Sequence, residues 1–186
     1  MSVALILFAG VGYYGYWDLV QYRFTTITRH QLYQSAQMPP EKLLRLADKH
    51  GIRTVIDLRT AEDAAAIEAE RIALTDSPVA YFHLPMKTEP DKEYPDDKYE
   101  DTILRFLEIV GNPQNRPVLV HCHHGSGRAV LLASIFRVEF ENWDRETARR
   151  AVEPFHWRGN FSPSAPKGQY LLSYERRTPT VTFATN

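Results

Sequence analysis

A single cysteine, Cys122, is present among 186 residues. That scarcity excludes an intrachain disulfide and any thiolate-rich metal site of the zinc-finger kind. The sequence also lacks an excess of either charge: 22 Lys and Arg against 23 Asp and Glu leave a formal net charge of -1. Without a basic excess, nucleic acid is not an expected partner. There is no internal repeat and no low-complexity tract. The length suits one domain with a sizeable core and is too short for two ordinary ones.

Long apolar runs are scarce as well, with one exception. Val3 to Trp17 is a stretch of fifteen uncharged residues, followed by Asp18 and then by Arg23 and Arg29. It is shorter than the roughly 20 residues of a perpendicular transmembrane helix. It also lacks the basic leader and small-x-small site of a cleaved signal peptide. Residues 1–20 therefore read as a membrane anchor, a targeting segment or a buried N-terminal helix. If they span, the two arginines on the C-terminal side favour a single-pass inner- or cell-membrane protein with a cytoplasmic catalytic domain. Otherwise the chain is expected in the cytoplasm.

Beyond that run, strand and helix patterns alternate. Leu32 to Met38 is a short half-apolar segment closed by Pro39 and Pro40. Glu41 to His50 reads as a helix opened by proline and ended at Gly51. Thr54 to Leu58 is a β-rich core strand. Thr60 and Asp63 resemble a capping arrangement for a helix running to about Ala73. Val79 to Leu84 is a second strand, and an acidic, proline-bearing loop follows from Pro85 to Asp97. Tyr99, Ile103, Phe106, Leu107 and Val110 recur at helical spacing. Val118 to Val120 is the clearest buried strand, Ala129 to Phe140 a centrally packed helix and Asp144 to Val152 another. The tail after Pro154 reads as less regular. This alternation predicts an α/β fold, a central and partly parallel sheet flanked by helices.

Between the clearest strand and the central helix lies His121-Cys122-His123-His124-Gly125-Ser126-Gly127-Arg128. Amides in such a loop can converge on one anion, aided by the positive end of the following helix. Gly125 and Gly127 let the main chain turn without filling the anion's place. Arg128 offers a planar fork of donors to two oxygens of a phosphoryl group. Converging amides and a guanidinium favour the thiolate of Cys122. The expected phosphate-binding set is His123, His124, Gly125, Ser126, Gly127 and Arg128.

His121-Cys122 through Arg128 resembles the signature loop of the cysteine-dependent protein tyrosine phosphatases, His-Cys-x-x-Gly-x-x-Arg, and is most similar to the compact dual-specificity-like branch of bacteria, some of whose members are membrane-associated. Leu32 to Gln37, Gly51 to Arg59 and Tyr81 to Met86 resemble other passages of that branch, so the likeness covers roughly residues 30–155. It implies a dual-specificity phosphatase-like fold, with residues 30–186 as the phosphatase domain.

The resemblance further implies a two-step mechanism. Cys122 attacks phosphorus to give a cysteinyl-phosphate, and water then hydrolyses it. Arg128 and the loop amides stabilise the equatorial oxygens. An acid on a neighbouring loop protonates the leaving oxygen and later acts as base toward water. Asp91 lies 31 residues before Cys122 and fits the usual separation, while Asp96 and Asp97 are the alternatives. The family usually has Ser or Thr after the arginine, hydrogen-bonded to the sulfur, where this chain has Ala129. That departure predicts slow breakdown of the intermediate and leaves open a weak or inactive phosphate-recognition module in membrane-linked signalling.

No cofactor is expected. The partner is a phosphorylated protein or a small phosphomonoester, acted on by a protein tyrosine or dual-specificity phosphatase. Adjacent side chains seldom converge on one tetrahedral ion, so His121, Cys122, His123 and His124 are not read as a metal cluster. His121 is expected to be buried, bonding the loop backbone. Arg59 and Glu62 read as a solvated ion pair or helix cap, and the Arg149-Arg150 and Arg176-Arg177 pairs as solvated surface.

Overall fold

The computed structural model describes residues 12–88, 97–152 and 160–177. Five strands form one sheet: β1 (Thr25–Thr28), β2 (Leu32–Ala36), β3 (Thr54–Asp57), β4 (Ala80–His83) and β5 (Val118–Cys122), in the order β1-β2-β5-β3-β4. β1 is antiparallel to β2 at one edge, and the other pairings are parallel. β1 lies upstream of residue 30 and still joins the sheet.

The helices are α1 (Pro40–His50), α2 (Ala64–Thr75), α3 (Asp97–Gly111), α4 (Arg128–Phe140), α5 (Arg145–Val152) and α6 (Pro166–Ser173). Pro40 opens α1, and Gly51 closes it at φ 64, its N–H bonded to the carbonyls of Ala47 and Asp48. The tail is more regular than its proline content suggested, since Pro166 begins α6 where a missing N–H costs nothing.

Alternation along the strands sorts side chains into two cores. Val118 and Val120 of β5, Ile56 of β3 and Leu32 of β2 join the core that α3, α4, α5 and α6 cover. Leu119, Val55 and Tyr33 join Leu43, Ala47 and Leu74 on the opposite face. Each fully buried aliphatic side chain is worth about 1.5–3 kcal/mol, against a net of about 1 kcal/mol for a hydrogen bond. Side-chain burial therefore sets the register, because a one-residue slip would exchange the two faces. That register aligns Asp57 with His121 on the α1/α2 side, while Cys122 falls among the α4-side residues. α4 is buried on nearly every side, only Arg137 among its residues being less than buried. This is the pattern of a helix at the centre of a domain.

Residues 3–11 of the apolar run lie outside the described residues. Among the described residues, no helix is long and apolar enough to cross a membrane. Trp157 also lies outside them, whereas Trp143 packs against the core.

Candidate active site

Cys122 is the last residue of β5, two places later than the sequence pattern put the strand end, and it is 2% exposed. After it the chain turns through Gly127 into α4, whose first residue is Arg128. The carbonyls of this loop are held from outside. His121 O accepts from Leu58 N at 3.0 Å and His123 O from Gln37 N at 3.2 Å. His124 O accepts from Arg23 Nη1 at 3.3 Å, and Ser126 O from Asn160 Nδ2 at 3.5 Å. In a planar trans peptide the N–H points opposite to the C=O. With the carbonyls of residues 123, 124 and 126 outward, the amides of His124, Gly125 and Gly127 face inward, as an anion cup requires.

Gly125 has φ +61, and a Cβ on it would lie 2.4 Å from Ala36 N. Both its left-handed backbone and its contact with the end of β2 admit only glycine. Gly127 serves differently: a Cβ there would meet Lys167 Cε at 3.2 Å. Lys167, 1% exposed at the start of α6, thus packs against the loop.

Arg128 is 8% exposed. Its Nη1 donates to Leu58 O at 2.8 Å and to Met86 O at 3.2 Å, carbonyls of the passages after β3 and β4. That leaves Nε and Nη2 as donors that no described residue takes up, the pair suited to two oxygens of a phosphoryl group. Ala129 follows it, fully buried.

Beneath the loop lies a buried ionic network that the sequence reading missed. Arg59 is not solvated. It is 1% exposed and donates from Nε and Nη2 to Asp57, from Nη2 to Glu70 Oε2 at 2.8 Å and from Nη1 to Gln37 Oε1 at 3.2 Å. His121 does not bond the loop backbone as expected: its Nε2 meets Glu70 Oε1 at 2.8 Å. Tyr81 completes the set by donating to Asp57 Oδ2 at 2.7 Å. Burial pushes the Asp57 carboxyl up, but hydrogen bonds from Arg59 and the proximity of His121 override it and hold the value at about 2. Burial and the bond to Asp57 raise the Tyr81 hydroxyl well above its ordinary value.

Asp57, Glu70 and His121 bring ligand atoms within 4.8 Å of one another. The Arg59 guanidinium supplies positive charge between the two carboxylates, while His121 Nδ1 is buried with no hydrogen-bond partner among the described residues. A signal for Glu70 existed in the sequence: it stands between Ile67 and Leu74 on the buried stripe of α2. Arg23, Asn160 and Lys167 carried none, because their contacts with the loop span large sequence separations.

Other expectations fare variously. Asp91 and Asp96 lie outside the described residues, and Asp97 is the first residue of α3. Thr60 and Asp63 make no side-chain cap. Asp63 instead meets His123 Nδ1 at 2.7 Å. Arg149 is 3% exposed and donates to Phe161 O at 2.8 Å, so it is a core tie rather than solvated surface. Arg176 donates to Val138 O, and Arg177 pairs with Glu100.

A cysteine ending the central parallel strand, a loop with outward carbonyls and a buried arginine opening the next helix define the class: the cysteine-dependent phosphatase superfamily, in its dual-specificity architecture. Within it, residues 17–160 match the family model described as DSP-PTPase phosphatase fused to NAD+ Kinase, and the chain belongs to that family. The chain is 30% identical over 130 residues to the dual specificity protein phosphatase TpbA of Pseudomonas aeruginosa (strain UCBPP-PA14), covering 70% of this chain and 51% of that one. It thus spans about half the length of the curated relatives it matches. A crystal structure of P. aeruginosa TpbA shares the fold at a TM-score of 0.60 and 23% identity, over 84% of this chain and 87% of that one. TpbA in complex with pTyr aligns at 0.55 and 24% identity, over 72% and 73%.

Proposed function

We propose that this chain hydrolyses phosphomonoesters through a cysteinyl-phosphate on Cys122, with phosphotyrosine and other phosphorylated residues of proteins as substrates. The observation that carries this reading is the loop whose carbonyls are tied outward while Arg128 is buried at its end. The pTyr complex of TpbA supports the substrate class.

In the first step the thiolate attacks phosphorus in line with the leaving oxygen. The charge on the equatorial oxygens is met by the loop amides from His123 to Arg128 and by Nε and Nη2 of Arg128; the outward carbonyls of His123, His124 and Ser126 support this role for the amides of His124, Gly125 and Gly127. Asp91 protonates the leaving oxygen, with Asp96 and Asp97 as alternatives. In the second step water displaces sulfur. Residues 30–186 carry the activity. Residues 1–20 attach the chain to a membrane, a placement that rests on the apolar run from Val3 to Trp17 and is checked by whether the full chain sediments with membranes and is released only by detergent.

Time courses with an aryl phosphate test the reaction. The parent should turn over and Cys122→Ser should not, with chelator making no difference. Arg128→Lys should lose about 10²–10³ in kcat, the scale of one preorganised oxyanion donor. An active Cys122→Ser variant would end the reading. Asp91→Asn should selectively penalise poor leaving groups. If Asp96→Asn or Asp97→Asn does so instead, the acid is reassigned.

A further inference from the structure

Just before β1, two consecutive residues other than glycine hold left-handed backbone: Tyr22 and Arg23, both at φ 52. They are the central pair of a tight turn closed by Phe24 N, which donates to Gln21 O at 2.9 Å. Asparagine and glycine fill such a turn readily, whereas tyrosine and arginine strain it. Strain of this kind persists where the surrounding contacts over-determine it. Two of those contacts reach the phosphate loop or the strand end it rests on. Tyr22 O accepts from Ala36 N at 2.7 Å, the end of β2 against which Gly125 is pressed. Arg23 Nη1 donates to His124 O at 3.3 Å. Arg23 is itself held in place. Its carbonyl accepts from Thr25 Oγ1 at 3.0 Å and from Gln34 Nε2 at 3.3 Å, and its guanidinium lies over the Trp17 ring at 5.9 Å.

The peptide that Arg23 holds, His124–Gly125, is one that can turn over in place. A peptide plane flips by opposite rotations of the ψ before it and the φ after it, and a glycine after it accepts either sign of φ. With Gly125 at φ +61 and His124 O held outward, the N–H of the same plane faces the anion. Flipped, that plane would present a carbonyl oxygen to the phosphate and withdraw a donor from it. We propose that Arg23 is a positioning residue for the phosphatase reaction, a latch that keeps the His124–Gly125 peptide in its anion-binding orientation. The proposal rests on the phosphatase reading above. Arg23 lies outside residues 30–186 and acts on them through this peptide. A charged donor suits the task, because it holds a carbonyl more firmly than a neutral one. Once a phosphoryl group is in the cup its oxygens hold the amide themselves, so the latch governs capture of the substrate more than breakdown of the cysteinyl-phosphate.

The test compares the parent with Arg23→Gly, Arg23→Met and Arg23→Lys by calorimetric titration of inorganic phosphate, kinetics on an aryl phosphate and thermal midpoint. Arg23→Gly removes the donor and relieves the left-handed strain, so its midpoint should not fall. It should nevertheless bind phosphate about 5–20-fold more weakly, the loss expected when the binding-competent loop is only partly populated. Arg23→Met keeps an apolar stem against Trp17 without a donor and should weaken phosphate by a similar factor, its midpoint within about 2 °C of the parent. Arg23→Lys keeps a charged donor and should bind phosphate more tightly than either. In Arg23→Gly and Arg23→Met, KM should rise in step with the phosphate Kd while kcat stays within about twofold. A merely structural role has the opposite signature, a lower midpoint with kcat lost in proportion to folded enzyme and KM unchanged. That result, or an unchanged phosphate Kd in both Arg23→Gly and Arg23→Met, overturns the proposal. A parent that neither binds phosphate nor turns over the aryl phosphate would instead end the phosphatase reading, and this inference with it.

Discussion

Gly125 carries the sharpest constraint on any single residue. A methyl group there would lie 2.4 Å from Ala36 N and 2.6 Å from Ser35 C, both backbone atoms of the end of β2, on a residue already at φ +61. Gly125→Ala should therefore cost about 1–3 kcal/mol of stability through strain alone and move the amides that face the anion. The check is a lower thermal midpoint together with weakened binding of inorganic vanadate. Ala129 offers the opposite experiment. It is fully buried directly after Arg128, and Ala129→Ser restores a hydroxyl able to hydrogen-bond the leaving sulfur. One charge-assisted hydrogen bond, at about 1.5–3 kcal/mol, predicts about ten- to a hundredfold faster breakdown of the phosphoenzyme. Quench-flow should show the first-turnover burst of the parent shrinking in the variant. Burst-free kinetics in both would reject it.

At the scale of elements, β3, α2 and β5 share apolar contacts of Val55, Leu74 and Leu119 and are also tied by one ionic group, Asp57, Arg59, Glu70 and His121, each 2% exposed or less. Removing one member leaves the others buried without their partner, which is costlier than the pair is worth. Glu70→Ala strips Arg59 and His121 of a shared carboxylate and should destabilise the fold by about 3–5 kcal/mol, read from the urea midpoint. The same group sets an acid limit. Asp57 has a folded value of about 2 against 3.8 for the free side chain. The folded value being the lower one, its contribution is complete above about pH 4 and is lost as pH falls through 4 toward 2. At 1.36 kcal/mol per unit this amounts to about 2 kcal/mol. Denaturant titrations between pH 5 and pH 2 should show that loss in the parent and a flatter profile in Asp57→Asn, which starts from lower stability.

For the whole molecule, the C-terminal part is built into the site rather than appended to it. Asn160 holds the Ser126 carbonyl, Arg149 ties to Phe161 O, and Lys167 packs on Gly127. Phe161 and Leu171 are fully buried in the α4-side core. Losing either side chain alone costs about 2–5 kcal/mol, against a total stability of about 5–15 kcal/mol for a domain. A chain ending at Val152 should therefore fail to fold cooperatively, losing its near-UV circular dichroism and its anion binding. Retention of a sharp denaturation transition would contradict this account.

Most elements were legible because their signals are local. The apolar triplet Val118 to Val120, Pro40 and Gly51 at the ends of α1, and the largely apolar stretch from Ala129 to Phe136 in α4 each depend on neighbours within a turn or two. The phosphate loop was legible for the same reason, since Cys122, Gly125, Gly127 and Arg128 are contiguous and their chemistry is set by type and spacing. What stayed hidden depends on distant partners. Arg23 reaches His124 across 101 residues, and His121 reaches Glu70 across 51. Asp63, read as a cap, is diverted to His123 across 60. Composition and spacing alone thus determined an α/β chain with one thiol in an anion-binding loop. Only the folded chain decided which charges lie beneath that loop and which donors hold its carbonyls outward, because burial and strand register, not sequence proximity, choose the partners of a polar side chain.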